Sequence, residues 1–327
     1  MAHRWLRGGA MALLLTLSGA AVGAETRAAA NEALRWLERV AAAPRKLNFT
    51  GTFVFQSGNQ SETSRIVHVA EGGRERERLE VIDGSPREVL RDDDEVRCLL
   101  PENRLMIVEK RAMRRQFPAL LPASLTGLGD HYLLRMGTPG RVAGFDIVKI
   151  VAEPRDELRY TRSFWVDPHT GLLLKTTLSN ERGEVLESFA FTDLTIGAPA
   201  PAEALKARFG GSDWRVVHAR SNETRLDETG WVLRAPLPGF RKLSGMKRAP
   251  SDNGAETLHL VFSDGLAAIS VFIESAGAGQ TPEMGEFSLG AINVHRRALG
   301  EYQLTVLGDV PPAALKKLAN ALEPKRR

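Results

Sequence analysis

From Asn48 to Thr192 the chain returns again and again to one pattern: short runs of alternating apolar and polar side chains, each closed by Gly, Pro, Asn or Asp. Alternation with a period of two places every second side chain on the same side of an extended strand, so such runs build sheets. In residues 48–56, Phe49, Phe53 and Phe55 fall on one side and Val54 on the other; Ser57-Gly58-Asn59-Gln60 supplies a turn and residues 63–69 return as the partner strand. Further runs at 76–82, 87–92, 95–100 and 104–108 follow at close, regular spacing, which predicts an antiparallel meander or barrel. The strongest hairpin signal joins 159–167 to 172–178 through Pro168-His169-Thr170-Gly171. Proline presets a negative φ there and glycine tolerates a positive one. Residues 184–192 continue the sheet, with Val185, Phe189 and Phe191 on one side.

Other segments change period. Leu34, Leu37 and Val40, with Trp36 beside them, have helical spacing, and Ala41-Ala42-Ala43 extends the helix to Pro44. Residues 116–130 are rich in Leu and interrupted by Pro118 and Pro122, which predicts a helix or lid packed across the sheet. Strands follow at 132–136 and 141–151. The composition shifts at Gly197-Ala198-Pro199-Ala200-Pro201-Ala202, which ends the first domain at residue 200 and opens a linker over 201–228. A smaller unit, 229–327, begins near Gly230-Trp231-Val232. It holds strands at 257–262 and 266–274 around the Ser263-Asp264-Gly265 turn, two more at 290–295 and 301–308, and a last helix with Leu315, Leu318 and Leu322 on one side.

The N-terminus carries Arg4 and Arg7, a small and apolar run over residues 8–22, and Val22-Gly23-Ala24, the order of a secretory leader. The run is shorter than the roughly 20 residues a spanning helix needs, so cleavage is expected over residues 1–24, with Glu25 first in the exported chain. No cysteine follows that cut to carry a lipid anchor; the lone Cys98 forms no internal disulfide and reads as a small hydrophobe in a strand. Stability must come from burial, for which about 300 residues suffice. Losing Arg4 and Arg7 lowers the formal charge from +4 to about +2, which argues against nucleic acid as a partner. The local basic excess is Lys110-Arg111-Ala112-Met113-Arg114-Arg115 and the Lys325-Arg326-Arg327 tail.

Local catalytic signatures are missing: no Gly-x-Ser-x-Gly elbow, phosphate loop, His-Glu-x-x-His helix or dinucleotide fingerprint. The seven histidines are scattered, and Asp92-Asp93-Asp94-Glu95 lacks the alternate ligands and glycine of a calcium loop. The expectation is therefore a protein that is not an enzyme and uses no metal or cofactor, although a hydrolase assembled across the fold stays open because triads need no local motif. Aromatic residues are abundant instead: Phe53, Phe55, Tyr160, Phe164, Trp165, Phe189 and Phe191 are expected on one face of the sheet. That face must be buried by protein, or, if the sheet is curved and partly closed, it lines a cavity for acyl chains.

Three blocks carry a resemblance. Arg141-Val142-Ala143-Gly144, the hairpin from Phe164-Trp165-Val166-Asp167 through Leu172-Leu173-Leu174-Lys175, and the run from His259-Leu260-Val261-Phe262 through Ser263-Asp264-Gly265 to Ile273-Glu274 resemble the RseB/MucB family over nearly the whole exported chain. The resemblance implies a β-rich α+β protein: a half-open antiparallel barrel similar to the lipoprotein carriers LolA and LolB, then a smaller α+β domain. It also implies a periplasmic regulator of envelope-stress sigma-E signalling. Such a protein binds the periplasmic segment of a membrane-anchored anti-sigma factor, so is peripheral to the inner membrane, shields that segment from the first protease, and is released by lipid, lipoprotein or lipopolysaccharide. The seven aromatics are then expected to contact lipid, and Leu260, Phe262, Phe272 and Ile273, as an edge of the second domain, to contact the partner together with Arg111, Arg114 and Arg115. A lipid or lipoprotein carrier is the alternative, and homo-oligomerisation is left open.

Overall fold

A computed structural model describes residues 15–110, 121–122, 124–197, 199–218, 221–248, 257–275 and 284–325. Helix α1 (Leu15–Ala42) precedes β1 (Phe49–Ser57), β2 (Gln60–Glu71), β3 (Arg74–Val81), β4 (Glu88–Asp92), β5 (Glu95–Leu100) and β6 (Leu105–Lys110). A one-turn helix α2 (Leu128–His131) leads into β7 (Tyr132–Met136), β8 (Gly140–Val142), β9 (Phe145–Pro154), β10 (Thr161–Val166), β11 (Leu173–Ser179) and β12 (Val185–Ile196). With β13 (Arg215–His218) these strands form one sheet in the order β13-β6-β5-β4-β3-β2-β1-β12-β11-β10-β9-β7, with β8 added to β9. Its two ends, β13 and β7, do not pair, so among the described residues the sheet is open. It is also curled. β8 bonds only to β9 yet approaches β12, four strands and about 19 Å away along a flat sheet. This is the half-open, β-rich architecture expected for the first domain.

Helix α1 is longer than the expected one and contains the expected leader cut; among the described residues no helix is long and apolar enough to cross a membrane. Ala33, Leu37 and Val40, on one stripe of α1, are buried against Tyr132, Leu134, Ile150, Phe164 and Val166. Its end is tied to the Pro168 loop: Arg39 donates to the Pro168 carbonyl at 2.9 Å and lies 4.1 Å over the Trp36 ring. Gly171 sits under this contact with φ +80°, and a Cβ there would lie 3.3 Å from Arg39, so both conformation and space require glycine. The expected lid over 116–130 falls partly outside the described residues; of the remainder, Leu121, Leu125 and Leu128 are buried in the α1 core, with helix only in α2.

The expected linker is largely fixed to the first sheet. Arg78, Glu80 and Glu88 form a buried ion cluster, with Arg78 2.5 Å from each carboxylate. The following segment covers it: Arg78 donates to the Ala204 carbonyl, Arg208 reaches Glu80, and the Arg208 amide donates to Glu88. β13 then pairs in parallel with β6.

The second unit contains β14 (Ser221–Glu223), β15 (Trp231–Leu233), β16 (Arg241–Arg248), β17 (Thr257–Ser263), β18 (Ala268–Ser275), β19 (Gly285–Leu289), β20 (Ile292–Leu299), β21 (Tyr302–Gly308), α3 (Pro312–Ala321) and β22 (Leu322–Pro324). Its sheet runs β14-β16-β17-β18-β21-β20-β19, and β15 pairs with β22. α3 buries Leu315 and Leu318 against Leu260, Phe262, Ile269, Val271 and Ile273, giving the smaller α+β unit its own core.

Candidate partner and lipid interfaces

Strand register sorts the aromatic residues. Phe53 pairs with Phe191 and Phe55 with Phe189; Phe189 pairs with Thr176, which pairs with Phe164. Directly paired residues share a face, so Phe53, Phe55, Phe164, Phe189 and Phe191 form one layer. Phe53, Phe189 and Phe191 meet with ring centroids 4.8–6.0 Å apart. Two expected members are not part of it. Trp165 follows Phe164 directly in β10 and so points to the other side of that strand, between Lys149 and Lys175, where it is half-buried and still packs against the core that holds Phe53, Phe189 and Phe191. Tyr160 precedes β10, and its hydroxyl accepts a hydrogen bond from Asn293 of the second unit. Within the layer Phe53, Phe164, Phe189 and Phe191 are buried and only Phe55 is half-exposed, so protein fills the space expected for acyl chains.

The two units meet across a polar seam. The guanidinium of Arg159 donates to Asp264 Oδ2 at 2.7 Å and to Asp156 at 2.5 Å, and also to the Pro238 carbonyl. Tyr132 Oη donates to the same Asp264 oxygen at 2.9 Å, and the other Asp264 oxygen accepts from the Leu266 and Ala267 amides. Burial first, and then the Asp264 carboxylate, push the Tyr132 phenol well above its ordinary range, so it stays a donor. The Arg159 and Asp264 side chains are both 0% exposed, and Gly239, at φ +77°, gives the room that lets Pro238 reach Arg159 beside His131. One turn along, Arg162 binds Asp309 at 2.5 Å, and Asp309 accepts from the Ala268 amide. Arg159 thus grips the β17–β18 turn directly and Arg162 holds its far end through Asp309. Apolar side chains are exchanged across the seam as well: Leu158 lies in the second core and Leu266 in the first.

Glu187 lies beside this seam, and its carboxyl is raised above the ordinary value, by burial first and further by Asp309, against the pull of Arg162. A raised carboxyl adds stability that is complete below its unfolded value, about 4.3, and is lost as pH rises through its folded value. Glu187→Gln is therefore expected to raise Tm at pH 7 and to change little near pH 3, as calorimetry at the two pH values will check.

The second unit departs from expectation. β17 and β18 are central strands, and Leu260, Phe262 and Ile273 are buried beneath α3, so they form a core and not an edge open to a partner. Phe272 lies on the other side of β18, half-exposed and stacked on His259 at 4.2 Å. Arg111, Arg114 and Arg115 lie outside the described residues. Burial raises the Cys98 thiol, which keeps the reactive thiolate scarce. Cys98 is expected to react slowly with a disulfide reagent in the native protein and rapidly in denaturant, read as absorbance of the released thiolate.

The family model for the MucB/RseB N-terminal domain matches residues 32–209, and that for the MucB/RseB C-terminal domain matches residues 225–323. The chain belongs to the MucB/RseB family. Among relatives, it is 32% identical to the sigma factor AlgU regulatory protein MucB of Pseudomonas aeruginosa over 323 residues, 96% of this chain and 97% of that one. It is 23% identical to the sigma-E factor regulatory protein RseB of Haemophilus influenzae, covering 96% of both. Two solved structures of MucB, one in complex with MucA(peri) and one of the Pseudomonas aeruginosa MucA/MucB complex, align over 90% of this chain and 100% of theirs, with TM-scores of 0.71 and 0.72 at 31% and 30% identity. A crystal structure of MucB aligns over 90% of this chain and 98% of its own with a TM-score of 0.64 at 30% identity. In this member of the MucB/RseB family, the Ser263-Asp264-Gly265 block that carried the sequence resemblance is the turn held by Arg159 and Tyr132, which gives its residues a physical role.

Proposed function

We propose that this chain is a periplasmic binding protein, and not an enzyme, that restrains envelope-stress sigma-E signalling. It holds the periplasmic segment of a membrane-anchored anti-sigma factor and shields it from the first protease. The observation that carries this reading is the likeness to MucB solved in complex with MucA, over 90% of this chain.

In this reading, lipid acts at the seam. The core beneath α1, which holds Phe164, is completed by Leu266 of the second unit, so an acyl chain that enters beside Phe164 competes with Leu266 for the same space and loosens the domain contact. Such a ligand shifts the equilibrium only by its differential affinity for the two arrangements. The second unit supplies partner contacts through the face of its sheet opposite α3, where Phe272 is half-exposed. Titration of the exported chain with the anti-sigma segment of the same organism, followed by calorimetry, tests this directly. Phe272→Ala is expected to weaken binding at least tenfold, the loss typical of a removed aromatic anchor, with an unchanged melting curve. Equal binding by the variant would move the contact elsewhere, and no binding by the unaltered chain would end the proposal.

A further inference from the structure

We propose that the contact between the two units is proton-sensitive through Glu187, so that mild acid tightens it and a rise in pH loosens it. Glu187 of β12 pairs with Ser57 on one side and Leu178 on the other, and Leu178 pairs with Arg162, so the four form one row and share a face of the first sheet. Both ends of the row hold the second unit. Arg162 binds Asp309 at 2.5 Å, and Ser57 Oγ accepts from the Ala291 amide at 3.0 Å. Glu187 lies between these two anchors. Its side chain has no hydrogen bond or close ion pair of its own among the described residues, while Asp309 takes the guanidinium with one oxygen and the Ala268 amide with the other.

Two carboxylates therefore compete for one arginine. The charged groups that act on Glu187 are Arg162 from β10 and Asp309 from the connection between β21 and α3; its neighbours in the row, Leu178 of β11 and Ser57 of β1, carry no charge. With the units together, burial first and then Asp309 favour the protonated carboxyl, against the pull of Arg162. With the units apart, water reaches Glu187, Asp309 is gone and Arg162 is free to turn to it, and each change favours the ionised form. Closing thus takes up a proton at any pH between the open-state value, at or below about 4.3, and the raised closed-state value. The closed fraction falls as pH rises through that interval and is level on either side of it. The row is a two-position element: Arg162 on Asp309 beside a protonated Glu187, or Arg162 on an ionised Glu187 with the units parted. A ligand that parts the units must also expel this proton, so more of it is needed in acid; that consequence rests on the reading of release given above, and the row itself does not.

The test is hydrogen exchange of the exported chain, without partner or lipid, followed amide by amide between about pH 4.5 and about pH 8. The Ala268 and Ala291 amides, whose acceptors are Asp309 and Ser57, report opening of the seam, and the Leu260 and Ile150 amides report the two cores. After correction for intrinsic exchange, protection of the seam amides is expected to fall with rising pH by at least about threefold more than that of the core amides. Glu187→Gln should remove this excess fall and keep the seam at its acid level of protection. Glu187→Asp, which still titrates, should retain it. Seam amides that follow the core amides at every pH, or an undiminished fall in the Gln variant, would each overturn the proposal without touching partner binding.

Discussion

Asp264→Ala is expected to cost about 3–5 kcal/mol of stability, the range for removing one partner of a buried ion pair. The loss is large because of what remains. Arg159 would keep its charge with no exposure to water, Tyr132 would lose its acceptor, and the Leu266 and Ala267 amides would lose theirs. Arg159→Met together with Asp264→Leu should recover much of the loss, since no unpaired charge is then buried. Urea unfolding of the three proteins measures this, and a loss below about 1 kcal/mol for Asp264→Ala would show that water reaches the seam.

Locking the seam is expected to abolish release by lipid while leaving partner binding intact. The two units also meet where the Ala291 amide donates to Ser57 Oγ at 3.0 Å. A Cβ on Gly290 would lie 3.2 Å from Ser57 Cβ, just under the roughly 3.5–4.5 Å of disulfides, so Ser57→Cys with Gly290→Cys closes a bridge after a small shift, with some backbone strain at Gly290, whose φ is +61°. Cys98→Ser removes the competing thiol. The oxidised form should hold the anti-sigma segment at lipopolysaccharide concentrations that displace it from the unaltered chain, and reduction should restore displacement. Displacement of the same size in the oxidised form would mean that lipid acts without moving the domains.

Much of the fold was legible because hairpins are local. Pro168-His169-Thr170-Gly171 and Ser263-Asp264-Gly265 announce their own reversals, and the strands on either side pair as expected. The join of β1 to β12 and the parallel pairing of β13 with β6 span more than a hundred residues, and no local signal encodes them. Period two also says that Phe164 and Trp165 face opposite ways; grouping them by aromatic character set that rule aside. Alternation in β17 and β18 identified Leu260, Phe262 and Ile273 as one face, but only the position of α3 shows that this face is covered. The seam left a faint trace, in that Arg159 and Arg162 are two long cations in a run otherwise suited to a buried strand. Their partners, Asp264 and Asp309, lie over a hundred residues away, and only the folded chain brings them together.

Because Leu158 and Leu266 are lodged in each other's domains, neither half owns a complete interior. A protease that severed the connector would yield two polypeptides still gripping one another, migrating as a single particle until denaturant parts them. Evolution faces the same constraint: a mutation that reshapes either socket must be answered in the other half, so the pair is inherited as one object.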